Sequence, residues 1–382
     1  MENTPLTCQR DKFIIPEGVC YMNSSYISPL LKSVEEAGVE GLQRRRQPWT
    51  ITPRDFFEPA EQVRSLFARL VNADPEGVAL IPSVSYGVGI AALNLPLSPG
   101  QSIVILKEQF PSNVYAWEVL SHDNQAELKR VPYPKDDDLT SAVLETIDQA
   151  TAIVALPEIH WHTGAKIDLV KIRARTRSVG AALVVDASQS LGAAGFDAGL
   201  IQPDFLINTG YKGLLGPYGL CFAYLSPEWR TGKPLEQGWL NRIKSDDFAG
   251  LTNYQSQYQD GARRYDMGER ANPIHLSMAA AALGQLLDWG MDRVTAYNRS
   301  LVKLIINKAD HCGFAHTDSR YSSDNMLGVT LPPQISTELE AALQQEKVYI
   351  AKRGNRIRLA PHVYNDTDEI DRLFEVLPHY LK

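Results

Sequence analysis

The stretch AALVVDASQSLGAAGFDAGLIQPDFLINTGYKGLLGPYG, residues 181–219, decides the fold and most of the chemistry. It holds two short runs, AALVVD (181–186) and DFLIN (204–208), that are apolar at nearly every position. Such runs fit strands buried on both faces, the signature of a mainly parallel sheet. Asp186 ends the first run, at the edge where an open α/β sheet meets its ligands. A carboxylate there serves either as a loop cap or as the partner of a cation. Lys212 follows 26 residues later in Thr209-Gly210-Tyr211-Lys212-Gly213, with glycines at 210, 213, 216 and 219. In isolation it reads as a loop lysine. Partial desolvation after a buried strand would instead lower its pKa and leave a nucleophilic amine, as a Schiff-base lysine requires.

Outward from this core, similar runs recur at GVALIP (77–82), SIVILK (102–107), TAIVALP (151–157) and GLCFAYL (219–225). Helical patterns lie between them at Phe57 to Val71, Leu139 to Ala150 and Leu169 to Val179. The alternation predicts an α/β fold, a mainly parallel sheet with helices on both faces. The character changes near residue 270. Helices are expected from Leu276 to Gly290, Val294 to Ala309, Ser336 to Gln345 and Thr367 to Leu377, the last capped by Asp366 or Thr367. Strands are expected at MLGVTLP (326–332) and, as a pair about an Arg-Gly-Asn turn, within 347–361. The expected division is an N-terminal arm (1–20), a large domain (21–270) and a smaller C-terminal α+β domain (271–382).

With 382 residues, 44% apolar and 22% charged, the composition is that of a globular protein with a substantial core. The formal charge of −7 offers no positive field to a nucleic-acid backbone. Four scattered cysteines, none in a C-x-x-C pair, read as reduced thiols, and a cytoplasmic location is expected. The polar start MENTPLTCQRDKF has no signal-like apolar segment. No apolar run nears the ~18 residues of a membrane span.

Gly87-Val88-Gly89-Ile90-Ala91-Ala92 matches a dinucleotide fingerprint, with Glu108 19 residues beyond Gly89. It keeps an NAD-dependent oxidoreductase as the rival reading, although five residues separate the strand from its first glycine. Whichever cofactor is bound, a Ser-rich turn entering a helix offers free N–H groups to a phosphate. Ser83, Val84 and Ser85 form that turn. The spacing of Asp186 and Lys212 favours pyridoxal 5'-phosphate (PLP). The carboxylate keeps the pyridinium nitrogen protonated, and the lysine holds the aldehyde as an imine.

D-A-S-Q (186–189) followed by T-G-Y-K-G-x-x-G-x-Y-G (209–219) resembles the aminotransferase class V family of fold type I PLP enzymes, in its kynureninase and isopenicillin N epimerase-like branch. The resemblance runs along nearly the whole chain, from Tyr21-Met22-Asn23 onward. It implies that Ser83, Val84, Ser85, Thr209 and Tyr211 lie at the cofactor phosphate, with Gln189 on the phenolic oxygen. Phe110, in the F-P-x-x-x-Y segment 110–115, would stack on the ring. Arg358, in R-I-R-L-A-P-H-V-Y-N (356–365), would clamp a substrate α-carboxylate, with Arg356 as its rival on the same strand face. Asn23, His162, Trp239 and Asn272 are the further substrate-pocket candidates. His160 and His162 could share a face, but no third ligand of suitable spacing stands near, so no metal site is expected. Glu269 stands where many relatives carry a phosphate-binding Thr.

The resemblance implies a homodimer whose site is completed by the neighbouring subunit, and a small amino-acid substrate, with no membrane or nucleic-acid partner. An aminotransferase-like reaction is the leading expectation. A kynureninase-like hydrolase, a β-lyase and an amino-acid epimerase are alternatives on the same scaffold. Cysteine desulfuration is argued against because Lys347 to Arg358 contains no cysteine. A catalytically idle relative would be expected to lack Lys212, Asp186 or Arg358, and all three are present.

Overall fold

The computed structural model describes residues 4–331, 338–354 and 356–380. In chain order the strands are β1 (Cys20–Tyr21), β2 (Val78–Ile81), β3 (Ser102–Leu106), β4 (Glu127–Val131), β5 (Thr151–Pro157), β6 (Ala182–Asp186), β7 (Phe205–Thr209), β8 (Cys221–Leu225), β9 (Leu327–Thr330), β10 (Val348–Tyr349), β11 (Ala351–Arg353) and β12 (Arg356–Leu359). The helices are α1 (Lys32–Gln43), α2 (Glu58–Leu70), α3 (Val84–Asn94), α4 (Tyr115–Asp123), α5 (Leu139–Thr146), α6 (Leu169–Val179), α7 (Ala198–Ile201), α8 (Pro273–Trp289), α9 (Met291–His311), α10 (Glu338–Gln345) and α11 (Thr367–Val376).

Seven strands form one sheet in the order β2-β8-β7-β6-β5-β3-β4. All neighbours are parallel except β8, which runs antiparallel to both β2 and β7. The fully apolar strands are buried because both faces are covered. Val104, Val154, Leu183 and Leu206 face one apolar layer with α2, α6 and α8. Their neighbours Ile103, Ile153, Val184 and Phe205 face another with α3. This two-residue alternation lets every position of a central strand be apolar.

The smaller unit has the antiparallel sheet β11-β12-β9, with α11, α10 and the second half of α9 packed on it. The N-terminal segment joins it, since β1 pairs in parallel with β10 and Asn23 bridges Ala360. The division expected at residue 271 runs through one shared core. Helix α8 packs with α2 in the layer of the large sheet, and the packing changes sides within α9, between Val294 and Leu301.

Several expected elements differ in extent. Helix α5 stops at Thr146, where Asp148 and Thr151 close a hydrogen-bonded turn. Three short strands, not two, occupy 347–361; Asn355 of the expected turn lies outside the described residues, as do Pro332, Ser336 and Thr337. Asp366 is the cap of α11, in a reciprocal capping box with Glu369. The glycine run 87–92 is not a phosphate turn, because it lies wholly inside α3. A Cβ on Gly87 would stand 2.8 Å from the side chains of Ile81 and Ile207, so glycine there serves the close approach of helix to sheet. That removes the structural basis of the nicotinamide reading.

Candidate active site

The chain runs outward from β3 to β4 and then resumes from β5 toward β6 and β7, so the order of strands switches direction between β3 and β5. A cavity of about 310 Å³ opens at the carboxyl ends of these strands, as open α/β sheets dictate. Pro157, Asp186 and Thr209 reach it from the ends of β5, β6 and β7. The segments after β2 (Ser83, Val84, Ser85) and β3 (Gln109, Phe110) complete the wall.

Asp186 is buried, with Oδ1 accepting the Ser188 N–H at 3.0 Å. Burial raises its pKa; the Ser188 hydrogen bonds and the Lys212 charge oppose that. Lys212, 8% exposed, follows β7 and lies between two aromatic faces. Its Nζ is 5.6 Å from the Phe110 ring centroid and 5.9 Å from that of Tyr211. Burial lowers the ammonium pKa to about 8, with Asp186 opposing and the Arg358 charge pushing the same way as burial.

The glycines about Lys212 have a steric cause. A Cβ on Gly213 would stand 2.4 Å from the Leu191 carbonyl oxygen, and one on Gly192 would stand 2.2 Å from that of Gly213. The loop after Asp186 therefore lies directly on the loop carrying Lys212. His362 locks the contact, its Nε2 donating to the Gly192 carbonyl at 3.1 Å.

Ser83 caps α3, its hydroxyl accepting from the Tyr86 N–H at 3.2 Å and lying 3.0 Å from that of Ser85. The first turn of the helix thus opens on the cavity with its dipole and its unpaired N–H groups. Around the same space, Gln109 Nε2, Gln189 Oε1 and Thr209 Oγ1 are buried without a hydrogen-bond partner. Unmet buried polar atoms are rare in folded proteins. Three of them about one cavity, with a carboxyl and an amine, mark a site shaped for a polar, phosphate-bearing ligand.

Arg358, on β12, is buried, with Nη1 donating to the Trp161 carbonyl at 2.8 Å and Nε unpartnered. Burial lowers its pKa to about 10, and its charge acts on Lys212. Arg356 points elsewhere, 5.9 Å from the Tyr133 ring and near His160. Asn23 lies beside Ala360 with Oδ1 buried and unpartnered, and does not line the cavity. Gln189 nevertheless reaches the same segment, Nε2 donating to the Ser25 carbonyl at 3.4 Å.

Arg358, like Asn23, is outside the cavity lining, bordering it through the Trp161 carbonyl, and three other candidates are not brought to the cavity of this chain. His162 donates through Nε2 to the Arg353 carbonyl at 3.0 Å, tying the loop to the small sheet. Trp239 packs with Phe56 and Phe248, at 6.1 and 5.6 Å between ring centroids. Asn272 caps α8, its Oδ1 accepting from the Ile274 and His275 N–H groups. His160 is held by Thr163 and the Glu108 carbonyl, and burial lowers its pKa to about 4. Among the described residues no group of three His, Cys, Asp or Glu gathers about a common point.

The cavity also recruits Ser112, Trp161, Ser188, Tyr218 and Cys221, which the sequence reading did not select. Ser112 and Gln109 flank Phe110, and Trp161 stands between the two histidines, so adjacency was their signal. Cys221 is buried as expected of a strand residue, yet it forms part of the wall, its thiol pushed up to about 11 by burial.

The Aminotransferase class-V family matches residues 53–373, and the chain belongs to that family. Its members are PLP-dependent enzymes, and PLP is the cofactor here. An uncharacterized aminotransferase of Bacillus subtilis, YcbU, is 28% identical over 83% of this chain and 82% of its own. A kynureninase of Geobacillus thermodenitrificans is 23% identical over 98% of this chain and 91% of its own. Among solved structures, a variant of C-DES with glycine covalently linked to its PLP cofactor superposes with a TM-score of 0.88 at 18% identity, covering 98% of this chain and all of that one. That likeness bears on the fold.

Proposed function

We propose that the protein is an aminotransferase-like enzyme acting on an α-amino acid through PLP bound at Lys212. The observation that carries this reading is the buried Lys212 amine, lowered to about 8, in one cavity with Asp186 and under the field of Arg358. PLP supplies an aldehyde that condenses with an amine and a ring that accepts the electrons released when a bond to Cα breaks. Ser83, Val84, Ser85 and Thr209 hold its phosphate, and Gln189 its phenolic oxygen. Asp186 holds a proton at the ring nitrogen, and Phe110 covers a ring face. Burial favours the neutral form of Asp186 in the cofactor-free site, and a cationic ring nitrogen beside it would restore the carboxylate.

Arg358 orients the substrate through its carboxylate, its unpartnered Nε being free to take one oxygen. Lys212 would hold the cofactor aldehyde, and its amine, lowered by burial to about 8, would serve as the base that moves the proton at Cα. No histidine lines the cavity, and Tyr211 and Cys221 are pushed up to about 12 and about 11. A single base from this protomer working on one face supports transfer of the amine over epimerisation, which calls for a second proton acceptor on the opposite face. Desulfuration through a cysteine persulfide is disfavoured for the same reason as before, the missing cysteine in 347–358.

The working form we propose is a homodimer in the cytoplasm. Exposed Trp49 (78%), Tyr218 (69%) and Tyr254 (90%) support a partner surface, and a neighbouring subunit is where Trp239 or Asn272 could still meet a site. Free cysteines fit a reducing compartment, and among the described residues no helix is long and apolar enough to cross a membrane.

The test is a half-reaction. The purified holoenzyme is mixed with single amino acids without an oxo acid, and its visible band followed. Loss of the band, restored by a 2-oxo acid, is expected, together with borohydride fixation of the cofactor on the wild type and not on Lys212→Ala. Release of a β-fragment, or racemisation without loss of the band, would overturn the aminotransferase reading.

A further inference from the structure

Trp161 joins the two ends of the site. Its indole Nε1 donates to the Glu108 carbonyl at 2.8 Å, which fixes the ring. The ring meets Phe110 edge to face, with centroids 5.7 Å apart at 74°. Its own carbonyl accepts Arg358 Nη1 at 2.8 Å. One side of Trp161 therefore touches the guanidinium that would hold a carboxylate. The other touches the ring lying 5.6 Å from Lys212 Nζ. An amino acid with its amine at Lys212 and its carboxylate at Arg358 would have Cα between them, and Trp161, which lines the cavity, offers its side chain an aromatic wall.

The surroundings limit what that side chain is. Among the described residues Asp186 and Lys212 are the only charged residues lining the cavity, with Arg358 just outside the lining; the cofactor would engage the first two and the substrate carboxylate the third. A carboxylate or ammonium on the side chain would be buried without a partner, which is strongly unfavourable. The cavity, about 310 Å³, lies at the low end of the ~300–1,000 Å³ of small-molecule sites. With cofactor and amino-acid head inside, the rest of the side chain meets the rim. There Tyr211 and Tyr218 stack with centroids 4.4 Å apart, beside Phe110 and Trp161. Aromatic walls favour flat partners in offset or edge-on contact.

Resting on the amino-acid reading above, we infer that Trp161 is a specificity-determining residue and that the substrate carries a flat, uncharged, aromatic side chain. The test uses carboxylates that lack an amine and cannot react with the cofactor. Calorimetry on the holoenzyme compares 3-phenylpropionate, propionate and succinate. Binding of 3-phenylpropionate is expected to be about 10- to 100-fold tighter than that of propionate, with succinate no tighter than propionate. Trp161→Ala brings the first ratio to within about 3-fold while propionate binding holds, because the carbonyl facing Arg358 remains; Trp161→Phe keeps most of the preference. Succinate binding as tightly as 3-phenylpropionate, or a ratio unmoved by Trp161→Ala, overturns the inference. If Trp161→Ala does not fold, Trp161→Leu carries the comparison. A protein that forms no borohydride-fixable band overturns the PLP reading and this inference with it. A normal band with a flat ligand ratio overturns this inference alone.

Discussion

Replacing Lys212 by methionine should stabilise the cofactor-free protein, and only below a definite pH. The side chain is buried and its pKa falls from an ordinary 10.5 to about 8. The unfolded chain therefore binds more protons than the folded one between pH 8 and 10.5, and stability rises with pH across that window. Below pH 8 both states are protonated, and the folded state carries the whole cost of a buried ammonium. With 1.36 kcal/mol per pKa unit, that cost is about 3 kcal/mol. Above pH 10.5 both states hold a neutral amine and the cost vanishes. Methionine fills similar space without the charge, so Lys212→Met should gain about 3 kcal/mol at pH 7. On a chain of this length the gain is roughly 4 °C in Tm. Paired calorimetric melts of apo wild type and variant at pH 7, 9 and 10.5 read the difference directly, since other groups titrate alike in both. A variant no more stable than wild type at pH 7, or an advantage that does not shrink toward pH 10.5, would refute the claim that burial governs this amine.

Three other outcomes follow from the same geometry. Arg358→Met should raise KM for the amino acid about 10- to 100-fold, the loss of a buried charge-assisted pair, whereas Arg356→Met should leave it within about 3-fold. Because the Arg358 charge depresses the Lys212 pKa, the same Arg358→Met variant of the apo protein should shift the pH profile of amine labelling at Lys212 upward; a downward shift would contradict the coupling. Gly213→Ala should cost about 1–3 kcal/mol and weaken cofactor retention on gel filtration, because its Cβ would stand 2.4 Å from the Leu191 carbonyl oxygen. Asp186→Asn should still retain cofactor and slow the half-reaction by about 100-fold or more in stopped flow, the charge at the ring nitrogen being gone.

The central strands were legible because burial on both faces leaves an unbroken apolar run, as in TAIVALP and ALVVD. Strand β4, ELKRV, was not, since it lies at the sheet edge and carries charges with little apolar signature. Helix α1 escaped notice as well, its polar sequence including two glycines, one of which lets α8 approach its backbone. Within the site, residues at strand ends could be placed from the pattern alone, because a strand end fixes where its side chain emerges. Residues on the loops could not. In 159–164 the sequence favoured His162, and the fold turns Trp161 inward and spends His162 on a bond to the small sheet. Asn272 stands before Pro273 and an apolar helix, the ordinary pattern of an N-cap, and that local reading describes its contacts better than the family comparison did.

The two halves of the chemistry sit on different cores, and this decides how the site is assembled. Lys212 and Asp186 belong to the large sheet, fixed to each other where Gly192 lies on Gly213. Arg358 belongs to the small sheet and reaches them only because that sheet is pinned. Asn325 Nδ2 donates to the Gln189 carbonyl at 2.7 Å, Thr317 Oγ1 to that of Thr163 at 2.7 Å, and Arg358 itself to that of Trp161. Each pin lands on a loop that also lines or borders the cavity, so the position of the guanidinium and the shape of the cavity are set together. A carboxylate held at Arg358 would offset a charge that, after burial, helps to depress Lys212, so the two sheets are coupled electrostatically as well as by these pins.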